Sequence, residues 1–410
     1  IGMVYGAEQG MKYMEKYDRE TLGFVYDYTD GVNAYINQLD PMNYPVEYKL
    51  LDYSPEKWTP KKSALLLMYM TKMLAGRDDD LEYTNVLRLI GMDNFNLLYP
   101  DFYDSVDPVI PKQTDWSFID KPQTSLPLNY AVLDTITETI EKPNPDNGSN
   151  NWAISGAKSI TGNPILANDP HLGLNLPSIW MMMQLCSPTH NVMGTTIPGA
   201  LSIISGFNQN IAWGETNATR DVIDWYKIEF NQDRTKYLYN DLWKDVKNRL
   251  EEIKIRGGET IIDTVLYTHH GPVVYDKNFK SINQRSGYAM RWIAHDGGNH
   301  QRTFIELNKA KNYDDYVNAL KYWDAPAQNF VFASTEGDIA LWIQGKFANK
   351  WEGQGKFLMD GSNPENDWQS FIPQKYNAHI KNPSRGFVSS ANQHPVDQSY
   401  PYFVFNDGYE

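Results

Sequence analysis

Ser149 lies in the segment DNGSNNWAISGAK, residues 146–158, directly after an Asn-Gly pair of the kind that forms tight turns. A serine hydroxyl is a weak nucleophile unless a base lies beside it. The nearest histidine is His171, 22 residues later. If the bond between Gly148 and Ser149 were cut, the freed α-amine, with a pKa of roughly 7.7–8.0, could take the hydroxyl proton itself. On this motif alone a plain turn is favoured, because most Gly-Ser pairs punctuate loops.

The elements around Ser149 change character at that residue. Residues 1 to about 95 carry apolar side chains near helical spacing, and Thr59, Pro60 and Gly76 predict the cap, first residue and stop of one helix. A stretch rich in Pro, Asp, Ser and Thr follows and ends at Gly148. Beyond it, short strand-like runs alternate with Gly/Asn/Asp-rich turns. Helices followed by a long strand region predict an α+β protein of stacked layers.

Composition narrows the function classes. A net charge of −14 argues against nucleic acid as a partner. No apolar stretch approaches the roughly 20 residues of a membrane helix. One cysteine, Cys186, excludes an internal disulfide and a thiolate metal cluster. The aromatic content alone would also suit a carbohydrate-binding or carbohydrate-hydrolysing β protein, but such a protein needs a carboxylate pair in a cleft, and we identify none.

The segment GSNNWAISGAKSITGNPILANDPHLGLNLPSIW resembles the start of the catalytic chain in the penicillin acylase family of N-terminal-nucleophile hydrolases. Further similar segments occur in the same order along the chain; they cover 45–60, 198–224, 270–274, 323–347 and 386–395. The resemblance implies a four-layer αββα sandwich with a helical N-terminal portion. It also implies three parts: an N-terminally truncated small-chain portion at 1–122, a spacer at 123–148, and a C-terminally truncated nucleophile-bearing portion at 149–410.

Four site residues follow from the resemblance. Ser149 matches the nucleophile that cleavage of the Gly148–Ser149 bond makes N-terminal. His171 matches a position where some members hold a histidine that contacts the nucleophile, which implies a supporting role as orienter and hydrogen-bond partner. The backbone N–H of Asn217 and the side-chain amide of Asn392 match the two donors to the oxyanion of the tetrahedral intermediate.

The implied activity is self-processing acyl-amide hydrolysis through an acyl-enzyme on Ser149. The amine would be a group such as a β-lactam nucleus or a homoserine lactone, and no organic cofactor is expected. The resemblance further implies a heterodimer of the two chains of one precursor, in the periplasm or secreted. The alternative is an unprocessed or inactive relative that serves as a binding or structural protein.

The resemblance also assigns an acyl pocket and a structural calcium ion. The pocket positions are Leu172, Trp180, Ala200, Leu201 and Ser205, although Leu172 and Leu201 suit a plain core equally well. A small Ser205 predicts a pocket that is open to aliphatic or larger acyl groups.

For calcium, Asp221 and Asp224 supply carboxylates and Ile223 a carbonyl, a set that suits a hard cation, whereas spacing alone favours a solvated acidic loop. Glu82 and the carbonyl of Ala348 match further ligands, and Asp407 is a candidate for the last one. His269-His270 invites a metal interpretation, but neighbouring strand residues point to opposite faces. We therefore expect the pair to serve packing and hydrogen bonding.

Overall fold

The computed structural model describes residues 1–102, 105–120, 130–131, 140–143, 148–276 and 285–404. Most of the predicted spacer at 123–148, together with Asp407, lies outside the described residues. Among the helices that are described, none has the length and apolar character needed to cross a bilayer.

Helices form the first hundred residues, as the sequence predicts. They are α1 (Met3–Tyr17), α2 (Arg19–Ile36), α3 (Val46–Leu51), α4 (Pro60–Ala75) and α5 (Asp80–Leu98). Thr59 is the N-cap of α4, Pro60 is its first residue and Gly76 its C-cap, so the predicted boundaries of this helix are confirmed. Proline suits the first helical position because the N–H it lacks would have no partner there.

Strands dominate after Gly148, with two helices among them. The strands before the helices are β1 (Gly148–Ile154), β2 (Ile165–His171), β3 (Met181–Ser187), β4 (His190–Thr196), β5 (Ser205–Asn208), β6 (Ile211–Asn217), β7 (Ile223–Glu229), β8 (Lys236–Tyr239), β9 (Leu242–Asp245), β10 (Lys247–Ile253), β11 (Ile261–Tyr267), β12 (Val273–Tyr275) and β13 (Ser286–Trp292). Then come α6 (His300–Leu307), α7 (Tyr313–Leu320), β14 (Gln328–Ser334), β15 (Ile339–Gln344), β16 (Met359–Asp360), β17 (His379–Lys381) and β18 (Phe387–Ser390).

The strands assemble into one large sheet and four smaller ones. The large sheet is antiparallel and has the order β17-β15-β14-β6-β5-β4-β3. A three-stranded sheet of order β18-β1-β2 packs against it through β1 and β2. A four-stranded sheet has the order β12-β13-β7-β16, and β8–β9 and β10–β11 are separate pairs.

The central strands of the large sheet, β6, β14 and β15, are buried on both faces, whereas the edge strand β3 is largely exposed. In β14, Phe330 and Phe332 cluster with Leu307 of α6, whereas Val331 clusters with Ala153 of β1. Because successive strand residues point to opposite faces, one face of the sheet meets the helix pair and the other meets the three-stranded sheet. Because side chains on both faces of β14 pack against apolar neighbours, no residue of the run at 329–334 is exposed.

Pairing in the three-stranded sheet positions the start of β1. Ser149 is opposite Pro170 of β2, and Asn151 is opposite Ser390 of β18. Along β1 the side chains of Ser149, Asn151 and Ala153 are buried. Asn392 follows two residues after β18 ends. The register therefore brings the serine into the interior, next to the loop that carries Asn392.

Candidate active site

Ser149 is held by its own chain neighbour and by Asn392. Its backbone N–H donates to Asn392 Oδ1 at 2.9 Å, and its hydroxyl donates to the carbonyl oxygen of Gly148 at 2.6 Å. Asn392 has a φ of +69°, a left-handed conformation that asparagine tolerates better than most residues. The two residues lie 243 positions apart in sequence and are brought together by the pairing of β1 with β18.

Gly148 leaves space that a side chain would fill. A Cβ placed on Gly148 would lie 3.0 Å from Asn392 Nδ2. The Asn392 amide therefore contacts the Ser149 nitrogen through its oxygen and lies beside Gly148 through its nitrogen. A larger residue at position 148 would have to displace this amide.

Asn217 lies at the end of β6, and its side chain is used for structure. Its Nδ2 donates to the Leu74 carbonyl oxygen of α4 at 2.7 Å. Its own carbonyl oxygen accepts from Asn329 Nδ2 at 3.0 Å. Asn217 and Ser149 line the same cavity. This arrangement is consistent with a site role for the main chain of Asn217 rather than for its side chain.

Behind the serine, asparagine and serine side chains join three strands. Asn329 Nδ2 also approaches Ser390 Oγ at 2.9 Å, and Asn151 Nδ2 donates to the Asn329 carbonyl oxygen at 2.9 Å. None of these three residues is predicted as a site residue from the sequence. A polar residue that opens an apolar strand run, as Asn329 opens NFVFAS, was the available signal, because a buried amide needs partners.

An apolar cavity of about 100 Å³ opens beside Ser149. Of the five predicted acyl-pocket residues, Leu172, Trp180 and Ala200 line it. Leu201 and Ser205 are not among its lining residues, so their assignment to the acyl pocket stays a prediction. Ser205 belongs to β5, and its hydroxyl lies between Asn168 Nδ2 (3.4 Å) and the Trp213 carbonyl oxygen (3.5 Å).

One wall of the cavity comes from α4, which the pocket prediction omitted. Its contributions follow one helical stripe: Ser63, Leu66, Leu67, Met70 and Leu74. Spacing of three and four residues places these side chains on one face, so the signal was present in the sequence. The helical N-terminal portion thus builds part of the site.

His171 does not reach Ser149 in this structure. It is opposite Gly148 in the pairing of β1 with β2, so its side chain projects from the face opposite to that of Ser149. Its Nε2 lies 3.0 Å from Asp169 Oδ2, and 43% of its side chain is exposed. The preceding residue, Pro170, lines the cavity instead. The contact that His171 makes is with Asp169, and it does not support the role implied for this histidine beside Ser149.

The residues predicted to hold calcium do not fit that ion, because a lysine lies among them. Lys350 Nζ pairs with Asp221 and, at 2.6 Å, with Asp224 Oδ1. Glu82 pairs with Lys142 Nζ at 2.7 Å instead of facing the two aspartates.

The two neighbouring main-chain candidates are buried: Ile223 begins β7, and Ala348 forms a bridge to Phe371. The Lys350 ammonium lies between the two carboxylates, where a calcium ion would have to bind.

His269 and His270 do not point to opposite faces of a strand, as the sequence predicted, but they do take part in hydrogen bonding and ring packing. They lie in the turn between β11 and β12, and their ring centroids are only 3.9 Å apart. His269 Nδ1 lies 3.0 Å from Tyr237 Oη, and His270 Nε2 lies 3.1 Å from the Gly361 carbonyl oxygen. Burial lowers the pKa of His270 to about 3, so this ring is neutral at physiological pH.

Comparison with known proteins places these observations in a family context. A family model described as penicillin amidase matches residues 1–410. The acyl-homoserine lactone acylase QuiP of Pseudomonas aeruginosa is 27% identical over 407 residues, covering 93% of this chain and 46% of the relative. The penicillin acylase 2 proenzyme of a Pseudomonas species is 24% identical over 415 residues, covering 97% of this chain and 52% of the relative. The chain thus spans about half the length of these curated relatives.

A solved structure shares the fold. The thermostable penicillin G acylase from Alcaligenes faecalis superposes with a TM-score of 0.57 at 22% identity, covering 64% of this chain and 46% of that chain. This likeness confirms the predicted fold class.

Proposed function

The chain belongs to the penicillin amidase family, and on that premise we propose that it is the nucleophile-bearing part of an acyl-amide hydrolase. The observation that carries the proposal is the setting of Ser149. Its hydroxyl lies against the Gly148 carbonyl, its nitrogen contacts Asn392, and an apolar cavity opens beside it. These are the parts that self-cleavage and acyl transfer require: a nucleophile, an electrophile, a polar donor and a site for an acyl group.

The first step we propose is cleavage of the chain at Gly148–Ser149. Ser149 Oγ attacks the Gly148 carbonyl carbon, a C–O bond forms, the C–N bond breaks, and the hydroxyl proton passes to the departing nitrogen. Water then hydrolyses the ester, which leaves a carboxylate on Gly148 and a free amine on Ser149. The 2.6 Å contact between the hydroxyl and the Gly148 carbonyl oxygen supports this step.

Substrate hydrolysis then repeats the same chemistry. The freed amine of Ser149 takes the hydroxyl proton while Oγ attacks the substrate carbonyl. The Asn217 N–H and Asn392 Nδ2 stabilise the oxyanion, since neutral donors do not titrate over the working range. The amine product leaves, and water releases the acid from the acyl-enzyme.

The cavity supports an acyl group that is mainly aliphatic. Leu67, Met70, Leu172 and Phe304 line it together with Ala200. The names of the relatives point to homoserine lactones and penicillins as the amine part. We extend to this chain the processing into a heterodimer and the periplasmic or secreted location that the family resemblance implies.

The test is hydrolysis by the full-length protein of which this chain is part. A panel of acyl-homoserine lactones and penicillins is scored for released amine, with Ser149→Ala beside Ser155→Ala, a serine just beyond the other end of β1. We expect turnover in the wild type and in Ser155→Ala, and none in Ser149→Ala. Equal turnover in Ser149→Ala and the wild type would refute the proposal.

A further inference from the structure

Two polar side chains in the cavity have an atom without a hydrogen-bond partner among the described residues. They are Glu215 of β6, at Oε2, and His300 of α6, at Nε2. Each residue is 8% exposed, and both line the cavity that contains Ser149. A buried polar atom that lacks a partner loses its hydrogen bonds to water without replacement, which destabilises the fold. Two such atoms in one mainly apolar cavity therefore indicate a ligand group that satisfies them.

The position of Glu215 follows from the alternation of β6. Asn217, two residues on, shares its face of the strand and reaches α4. Glu215 consequently projects toward the cavity between β6 and α4, where Leu67 and Met70 are neighbouring lining residues. An apolar side chain would suit this lining better if packing were the only demand.

Burial disfavours the charged form of both groups. Burial raises the pKa of Glu215 well above its ordinary value, and burial lowers the pKa of His300 to about 4. A protonated carboxyl donates one hydrogen bond and accepts others, and a neutral imidazole does both. The pair therefore suits a neutral polar group better than a charged one.

We infer that Glu215 and His300 form a subsite for a neutral hydrogen-bonding substituent, such as a hydroxyl, keto or amide group, on the acyl part of the substrate. The inference rests on the proposed function, since it takes the cavity as the acyl site. The hydrocarbon of the acyl chain contacts the apolar lining, and the substituent satisfies the two polar groups.

The experiment compares acyl amides of equal chain length with and without a keto or hydroxyl substituent. We expect the wild type to favour the substituted amide by about tenfold in kcat/KM, as one or two hydrogen bonds would give. Glu215→Met should abolish the preference, whereas Glu215→Gln should retain most of it. Glu306→Met, on the same helix as His300 but within reach of Arg302, is the matched control and should keep the preference.

Four outcomes would overturn the inference. If the wild type hydrolyses the substituted and unsubstituted amides equally well, the subsite is refuted. The proposed function is then still supported. A preference that survives Glu215→Met, or one for a cationic acyl group, also refutes the subsite. Failure to hydrolyse any acyl amide refutes the proposed function and with it the inference.

A separate observation concerns Lys350, whose ammonium is enclosed by acidic groups. The side chains of Lys350, Asp221 and Asp224 are 5%, 5% and 0% exposed. The other oxygen of Asp224 accepts from Trp368 Nε1. Buried charges are stable when they are paired and hydrogen-bonded, and this lysine meets two carboxylates at once.

The surroundings are closed around the ammonium and already contain a second cationic side chain. Gly355 has a φ of +81°, and a Cβ there would clash with the Asp224 carboxylate and lie 2.6 Å from Lys350 Nζ. Buried Arg220 interacts electrostatically with Asp221. Because two cationic side chains already interact with these carboxylates, an added divalent ion would increase the buried positive charge.

We propose that Lys350 takes the structural place of a bound divalent cation in this protein, so that its stability does not depend on calcium. The ammonium joins β7, which carries Asp224, to the segment after β15. It does so through ion pairs within the chain instead of through an ion from solution.

Thermal unfolding tests the proposal directly. The wild-type midpoint is expected to be the same in millimolar Ca²⁺ and in a chelator. Lys350→Met should unfold several degrees lower and regain part of the loss when Ca²⁺ is added. Lys346→Met, which removes a surface ion pair with Asp296, should show no calcium response. Stoichiometric calcium binding by the wild type, or a lower midpoint in chelator, would overturn the proposal even if Lys350→Met failed to fold.

Discussion

Replacing Asn392 with aspartate separates the two contacts that its amide makes. The aspartate keeps an oxygen that can accept from the Ser149 N–H but loses the Nδ2 donor beside Gly148. Loss of one oxyanion donor costs about 2.7–4 kcal/mol of transition-state stabilisation, which corresponds to a fall of about 10²–10³ in kcat. Asn392→Ala loses the acceptor as well, worth about 0.5–1.5 kcal/mol more. Because the aspartate carboxylate would also repel the oxyanion, we expect both variants to fall at least about 10²-fold below the wild type in single-turnover acyl-amide hydrolysis.

Backbone strain is the main confounding effect, because Asn392 has a positive φ. Asn382 provides the control, since it also has a positive φ, of +47°, and its amide contacts Asp338 and Ile339 instead of the serine. Asn382→Ala should lower the unfolding midpoint while kcat stays within about threefold of the wild type. Equal kcat in Asn392→Asp and the wild type would refute the assigned donor.

Three further perturbations have defined outcomes. Gly148→Val should leave a single uncut chain on a denaturing gel, because its side chain would displace the Asn392 amide; normal cutting would contradict the geometry. Ala200→Phe should lower kcat/KM more for long than for short acyl chains in a chain-length series, because Ala200 lines the cavity; a uniform change would not fit. Burial raises the pKa of Glu215, so its stabilising contribution is complete at acid pH and is lost as the pH rises through the folded-state value. Glu215→Gln should therefore gain unfolding free energy relative to the wild type in denaturant titrations as the pH rises from about 5 to about 8, and a pH-independent difference would contradict this.

Local signals in the sequence were sufficient for the elements. The cap at Thr59 and the stop at Gly76 define α4 correctly, because capping depends on neighbouring residues. The strand run at 329–334 was likewise visible from its apolar residues. The family resemblance then supplied Asn392, which no local pattern could connect with Ser149.

The features that the sequence could not predict depend on tertiary position. His171 was one residue out of phase with the cavity face, and only the strand register reveals this. Lys350 enters the acidic cluster from 126 residues away, so the spacing of Asp221 and Asp224 could not indicate their partner. Glu215 follows Trp-Gly in an ordinary strand, and its lack of a partner is a property of the packed cavity.

The proposed function requires that the amine and hydroxyl of Ser149 act together once the chain is cut. The most direct measurement is intact mass analysis of the full-length protein quenched during turnover of a slow acyl amide. We expect a chain that begins at Ser149 and carries one acyl group. Peptide mapping should locate this acyl group on Ser149. An active protein whose Gly148–Ser149 bond remains intact, or an acyl group on another residue, would contradict the proposed function.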